Sequence, residues 1–206
     1  MRPSVIAFDV NETLSDLSPL GARFLEVGAS ASAAPLWFAC VLRDGFALTA
    51  AGENPPFAGV AREQLLSQLA DVHLNRSLEE AVRHVMEGFA SLELHADVAS
   101  GLDRLLTSAN VRDRFERLLS VEDAGAWKPS ARAYEYAAQE CEVKPEEMVL
   151  VAVHPWDIDG AQRAGLQTAW VNRSGAAFPA TFLEPTYTVS GIDQLTELWE
   201  LHATTV

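Results

Sequence analysis

Residues 4–14, Ser-Val-Ile-Ala-Phe-Asp-Val-Asn-Glu-Thr-Leu, constrain this chain more than any other stretch. Val5 to Phe8 are a short continuous apolar run. A run without polar alternation reads as a strand buried on both faces, which is typical of a parallel sheet. It ends at Asp9. Open α/β sheets bind ligands beyond the carboxyl ends of their strands, and a charge placed there costs free energy that something must offset. Asp9 therefore reads either as a cap for the following loop or helix or as a carboxylate positioned for chemistry.

After Leu14 the pattern changes. Leu17, Leu20, Phe24 and Leu25, then Leu36, Phe38, Val41, Leu42 and Phe46, recur at helical spacing. Gly52-Glu53-Asn54-Pro55-Pro56 is a loop signal. Residues 61–71 and 77–92 read as two more amphipathic helices, the second opening with Ser77 as cap and Glu80 completing a capping box. Segment 16–94 is thus a helical insert. An α/β alternation then returns. Residues 117–121 read as a weak strand, 130–141 as a helix and 149–153 as a clear buried strand followed by a helix from near Ile158. Residues 167–172 and 186–189 read as further strands, and 192–201 as a terminal helix. Strands alternating with helices predict a parallel sheet with right-handed crossovers.

A length of 206 residues suits one core plus a small insert. The formal net charge of -14 disfavours a nucleic-acid or anionic-membrane surface. It also means that an anionic substrate needs a local positive group. Cys40 and Cys141 give neither a disulfide framework nor metal-ligand spacing, and read as core thiols. No apolar run approaches the roughly 20 residues of a membrane helix. Only Arg2 precedes the first strand, so no signal peptide is expected and the cytoplasm is the expected compartment.

Three stretches together resemble one family. Phe-Asp-Val-Asn-Glu-Thr-Leu (8–14) resembles the first motif of the haloacid dehalogenase superfamily, an Asp nucleophile followed four residues later by Thr, here Asp9 and Thr13. Residues 120–129, Ser-Val-Glu-Asp-Ala-Gly-Ala-Trp-Lys-Pro, with Tyr134, resemble its third motif. Residues 151–157, Val-Ala-Val-His-Pro-Trp-Asp, resemble its fourth. The resemblance implies an α/β, Rossmann-like parallel sheet core (1–15 and 95–206) with an inserted helical cap domain (16–94) that covers the active site. It implies that Lys128 orients Asp9, that Tyr134 lines the substrate region, and that Asp157 is the acidic member of the fourth motif. Arg43, in the aromatic-rich stretch Trp37 to Phe46, resembles a cap arginine that engages the halide or the substrate carboxylate. Read by itself, it is a solvated helix arginine paired with Asp44.

Within the superfamily the resemblance is to type II (S)-2-haloacid dehalogenases. Phosphatases of the superfamily usually carry a second Asp two residues after the nucleophile, as acid and base for the leaving alcohol. Here that position is Asn11, which does no proton transfer near neutral pH, and halide needs none to leave carbon. Phosphatases also hold Mg²⁺, a hard cation that takes oxygen ligands. Val153 stands where an acidic ligand is common, so neither a metal nor another cofactor is expected. Ala152 and His154 stand where the haloacid branch commonly has Ser and Asn. His154 can replace Asn as a donor or act as a base, being the side chain suited to proton transfer near neutral pH; Asp157 is ranked ahead of it as base. The second motif, a strand ending in Ser or Thr, is missing. Residues 98–115 are helical in pattern and too short for helix, strand and helix, with Thr107 or Ser108 as a replacement anchor.

The implied function is hydrolysis of short 2-haloalkanoic acids through an ester on Asp9. Asp9, Lys128 and Asp157 are the catalytic residues; Asn11, Thr13, Arg43, Tyr134 and His154 contact a small anionic organic substrate. A homodimer is allowed, since family members are often dimers. A Mg²⁺-dependent phosphatase and a shortened non-catalytic relic are the competing readings.

Overall fold

The structure, a computed structural model, describes residues 3–108 and 117–200, without the side chains of 103–108 and 199–200. Its elements in chain order are β1 (Val5–Phe8), α1 (Leu20–Glu26), α2 (Ala33–Ala50), α3 (Phe57–Leu69), α4 (Leu78–Ala90), α5 (Ala96–Ser108), α6 (Val121–Ala124), α7 (Ala131–Glu140), β2 (Met148–Ala152), α8 (Pro155–Arg163), β3 (Gln167–Val171), β4 (Tyr187–Val189) and α9 (Leu195–Glu200). The chain divides into two compact units: 1–15, 94–124 and 128–206 form one, and 16–93 with 125–127 form the other.

The first unit is built on a parallel sheet of order β1-β2-β3-β4. Its centre is β2, Met-Val-Leu-Val-Ala, with all five residues buried. Alternate residues of a strand face opposite sides. Val149 and Val151, with Ala169, Val171 and Val189, pack on Val98 of α5, Ile192 and Leu195 of α9. Met148, Leu150 and Ala152, with Trp170, pack on Tyr134 and Ala138 of α7 and Ile158 and Ala161 of α8. Helices thus cover both faces, which explains why the strands read as unbroken apolar runs. Phe8 pairs with Val151, so β1 and β2 end side by side and the loops that follow them are neighbours.

Three details depart from the sequence expectations. Losing the second-motif strand predicts a gap or a rearranged order. Instead β1 pairs directly with β2, and among the described residues β1 is simply an outer strand. Among the described residues the sheet is unbroken from β1 to β4. Residues 98–108 belong to α5; 109–115, and the side chains of Thr107 and Ser108, lie outside the described residues. The weak strand expected at 117–121 does not form. Leu118 is 97% exposed, so this stretch has no sheet face to bury. The Ser120 hydroxyl instead accepts from the Asp123 backbone N–H at 3.1 Å and starts α6. Cys40 and Cys141 are free and half-buried rather than deep in the core. Among the described residues no helix is long and apolar enough to cross a membrane.

The second unit holds α1 to α4. Leu20 and Phe24 of α1, Trp37 and Val41 of α2, Leu65 and Leu69 of α3 and Val82 and Val85 of α4 are its buried apolar residues. Trp37 and Phe38 belong to this core, and the Trp37 indole N–H donates to the Ala61 carbonyl at 2.9 Å. Ser77 and Glu80 make the expected reciprocal capping box at the start of α4. Trp127 stacks on Phe57 with ring centroids 5.5 Å apart, and its indole N–H donates to the Pro55 carbonyl at 2.9 Å. A Cβ at Gly45 would overlap the Trp127 ring, so α2 needs a glycine there. Gly45→Val is expected to lower the free energy of unfolding by about 1–3 kcal/mol, the usual cost of overpacking; a denaturant midpoint unchanged from wild type would refute this packing account.

Candidate active site

Asp9 ends β1, and its two carboxylate oxygens have separate partners. Oδ1 accepts from Lys128 Nζ at 3.0 Å, and Oδ2 accepts from the Thr13 hydroxyl at 2.7 Å. The Thr13 hydroxyl in turn accepts from the Val153 backbone N–H at 3.1 Å, tying the loop after β1 to the end of β2. Lys128 also donates to Asp157 Oδ2 at 2.8 Å. Asp157 lies in the first turn of α8 with no exposure, and its Oδ1 accepts from the Tyr134 hydroxyl at 2.6 Å. One ammonium therefore sits between two carboxylates. His154, between β2 and α8, places Nδ1 3.5 Å from Asp9 Oδ2 and Nε2 2.7 Å from Glu12 Oε2.

Six residues singled out from sequence thus converge: Asp9, Thr13, Lys128, Tyr134, His154 and Asp157. Asn11 lies half-buried in the Asp9–Thr13 loop, its backbone bridged to Ser15. Arg43 belongs to the helical unit. Its side chain is 65% exposed and its Nε contacts Asp44 Oδ1 at 2.6 Å, the solvated pair that its residue pattern alone suggests. Among the described residues, no group of three or more His, Cys, Asp and Glu side chains is arranged to hold a metal ion.

Comparisons with known proteins find similar sequences and similar folds. The family model for haloacid dehalogenase-like hydrolases matches residues 98–171. The chain is 36% identical over 91 residues to haloacetate dehalogenase H-2 of Moraxella sp. (strain B), a match spanning 44% of this chain and 41% of that one. It is 28% identical over 224 residues to (S)-2-haloacid dehalogenase 4A of Burkholderia cepacia, covering 97% of this chain and 94% of the relative. A crystal structure of a dehalogenase with an intermediate complex superposes with a TM-score of 0.83 at 26% identity, over 97% of this chain and 96% of that one.

By sequence and by fold the chain is similar to haloacid dehalogenases.

Several residues of the site escape a reading by motif. Glu12 looks like filler within motif one, yet its carboxylate holds His154. Arg173 follows β3 as Asp9 follows β1, and that position was the available signal. Its guanidinium donates to both Asp97 oxygens at 3.1 and 3.0 Å and to the backbone carbonyls of Glu12 and Thr13 at 3.3 and 2.9 Å. It clamps the loop that carries Thr13. Asp97 also accepts from the Ile192 backbone N–H at 2.8 Å.

Electrostatics keep Asp9 charged. Burial pushes the Asp9 carboxyl up, but the Lys128 charge and the hydrogen bonds from His154 and Thr13 outweigh it and hold the group well below the usual carboxylate range. Burial disfavours the Lys128 charge, yet Asp157 and Asp9 together raise its pKa. Burial raises the Asp157 carboxyl, with Lys128 opposing and Asp9 adding to the rise. Burial and the neighbouring Asp157 carboxylate raise the Tyr134 phenol, which stays a donor.

Burial lowers the His154 pKa, but hydrogen bonds and charge from Asp9 and Glu12 overcome this and push it up to about 9, from 6.5. The protonated form is therefore favoured by folding. Its contribution is complete below the ordinary value, shrinks as pH rises, and is gone above the raised value. The size is about 3 kcal/mol at most. Unfolding free energy is expected to fall across that pH window in wild type and to fall less in His154→Gln; equal pH slopes in the two proteins would contradict this ion-pair account.

Proposed function

We propose that this chain hydrolyses short 2-haloalkanoic acids by way of an ester on Asp9. The observation that carries the reading is the ammonium of Lys128 held between Asp9 and Asp157 at 3.0 and 2.8 Å. Asp157, oriented by Tyr134, fixes the ammonium, and the ammonium keeps Asp9 ionised at the carboxyl end of β1. A carboxylate is a weak nucleophile in water and a competent one when a site holds it in line with the reacting carbon. The leaving group fits the same geometry. Asn11 offers no acid to protonate a departing alcohol, and halide leaves as a stable anion. The substrate carboxylate requires positive charge in an acidic protein, and Lys128 supplies it beside Asp9. Arg43 enters this reading through the family resemblance alone.

In the first half-reaction an Asp9 oxygen bonds to the halogen-bearing carbon as the carbon–halogen bond breaks. In the second, water attacks the ester and frees the 2-hydroxy acid. The Moraxella and Burkholderia relatives, named for haloacetate and (S)-2-haloacid dehalogenation, support this substrate class.

The test is halide release from L-2-chloropropionate and from fluoroacetate, with and without EDTA. Release in wild type is expected to survive the chelator, and to vanish in a folded Asp9→Asn variant. Release that needs metal, or persists in Asp9→Asn without deamidation, would overturn the assignment. No release from either acid by folded wild type would leave the non-catalytic reading standing.

A further inference from the structure

Glu12 occupies a backbone conformation that a glutamate adopts at a cost. Its φ is +63°, in the left-handed region, which disfavours residues with a Cβ by about 1–2 kcal/mol. The surroundings over-determine it. Its carbonyl accepts from His95 Nε2 at 3.0 Å and from Arg173 Nη1 at 3.3 Å. This posture delivers the carboxylate to His154 Nε2. The His154 ring stacks on Trp156 with centroids 5.0 Å apart, and the side chain is 14% exposed. Nδ1 then points at Asp9. Strain kept in place at a site, in a residue that orients a histidine against the nucleophile, is a sign of function.

We propose that His154 is the base that hydrolyses the Asp9 ester, and that Glu12 is its positioning residue. The proposal rests on the haloacid reading of the site. A base must present a lone pair to water. Asp157 is poorly placed for that: it has no exposure, and Tyr134 and Lys128 already occupy its two oxygens. His154 Nδ1 lies 3.5 Å from Asp9 Oδ2, on the carboxylate that becomes the ester.

The proton balance closes over the cycle. In the resting site His154 is an imidazolium between two anions, Asp9 and Glu12 from the loop after β1. Lys128 faces Asp9 and Asp157, and Asp157 lies on the helix that His154 precedes. Alkylation breaks the carbon–halogen bond, expels halide and removes the Asp9 charge. The imidazolium loses one counter-ion while Lys128 stays charged, so it releases its proton to solvent. That proton accompanies the halide. Neutral His154 next takes a proton from water as the hydroxyl bonds to the ester carbonyl carbon. The tetrahedral intermediate collapses, breaking the bond to the substrate oxygen. The 2-hydroxy acid leaves with one of the water's protons, and the other remains on His154. Haloacid and water have become hydroxy acid, halide and a proton, and the resting charges are restored. Glu12 keeps the imidazole oriented and basic enough to serve while Asp9 is neutral.

The experiment follows L-2-chloropropionate through a rapid quench, with halide measured against intact-protein and peptide mass. His154→Gln is expected to release a single equivalent of halide and then stall. The Asp9 peptide should carry the substrate less hydrogen halide, with ester hydrolysis slowed about 100-fold or more. Asp157→Asn should slow halide release itself, without accumulating ester. Glu12→Gly places in the left-handed conformation the residue that suits it, which offsets part of the ion pair lost with His154, so the variant should still unfold cooperatively. Its ester should nevertheless accumulate, and the acid limb of the hydrolysis pH profile should move to lower pH. A structural role alone would lower the rate at every pH and leave the limb in place. Ester trapped in Asp157→Asn but not in His154→Gln, turnover of His154→Gln at the wild-type rate, or an unmoved limb in Glu12→Gly would overturn the assignment. Folded wild type that releases no halide would overturn the haloacid reading, and the base would fall with it.

Discussion

The site depends on a single ammonium. Lys128 makes it possible to bury Asp157 completely and to keep Asp9 charged at the end of a strand. Neither carboxylate is stable there without a positive partner. Removing one member would leave uncompensated charge in a poorly solvated place, which is costlier than the net worth of the pair. The cluster is therefore both a piece of chemistry and a constraint on the fold. The strand ends, the approach to α7 and the first turn of α8 have to meet at this point for the charges to balance.

The surrounding layer ties the Asp9 loop down through its backbone and through Thr13. Thr13 links Asp9 to the Val153 N–H, and Arg173 takes the Glu12 and Thr13 carbonyls while anchored on Asp97. A loop between a strand and the next element is ordinarily the mobile part of a fold. Here it is fastened from both sides of the sheet's carboxyl edge. Preorganised donors and charges of this kind need no reorganisation when the reaction occurs.

Among the described residues the sheet begins at β1. The pairing that matters for the site is β1 with β2, because Phe8 opposite Val151 brings the Asp9 and His154 loops together. A strand beyond β1 is not needed for that adjacency. The cores on the two faces of β2 are likewise built from α5, α7, α8 and α9 without it.

Much was legible in the chain itself. The apolar runs 5–8 and 149–153 marked parallel strands; β2 is buried on both faces, while 5–8 is half-buried at the outer strand. Ser77 and Glu80 marked a helix start, because a capping box is a local interaction. The motif residues Asp9, Lys128 and Asp157 could be named from their resemblance to a family. Other features required the tertiary structure. Residues 117–121 carry strand-like composition, but whether a strand forms depends on a sheet edge being there to receive it, and Ser120 offered a local cap instead. Arg173 and Asp97 are far apart in sequence, and only the fold joins them. Glu12 and His154 were both visible as residues, but their pairing was not. It depends on a left-handed turn, on the adjacency of two strands, and on the packing of Trp156 against the imidazole. Sequence patterns encode local propensity and periodicity; the charge balance of a site is set by which distant groups the chain brings within a few ångströms.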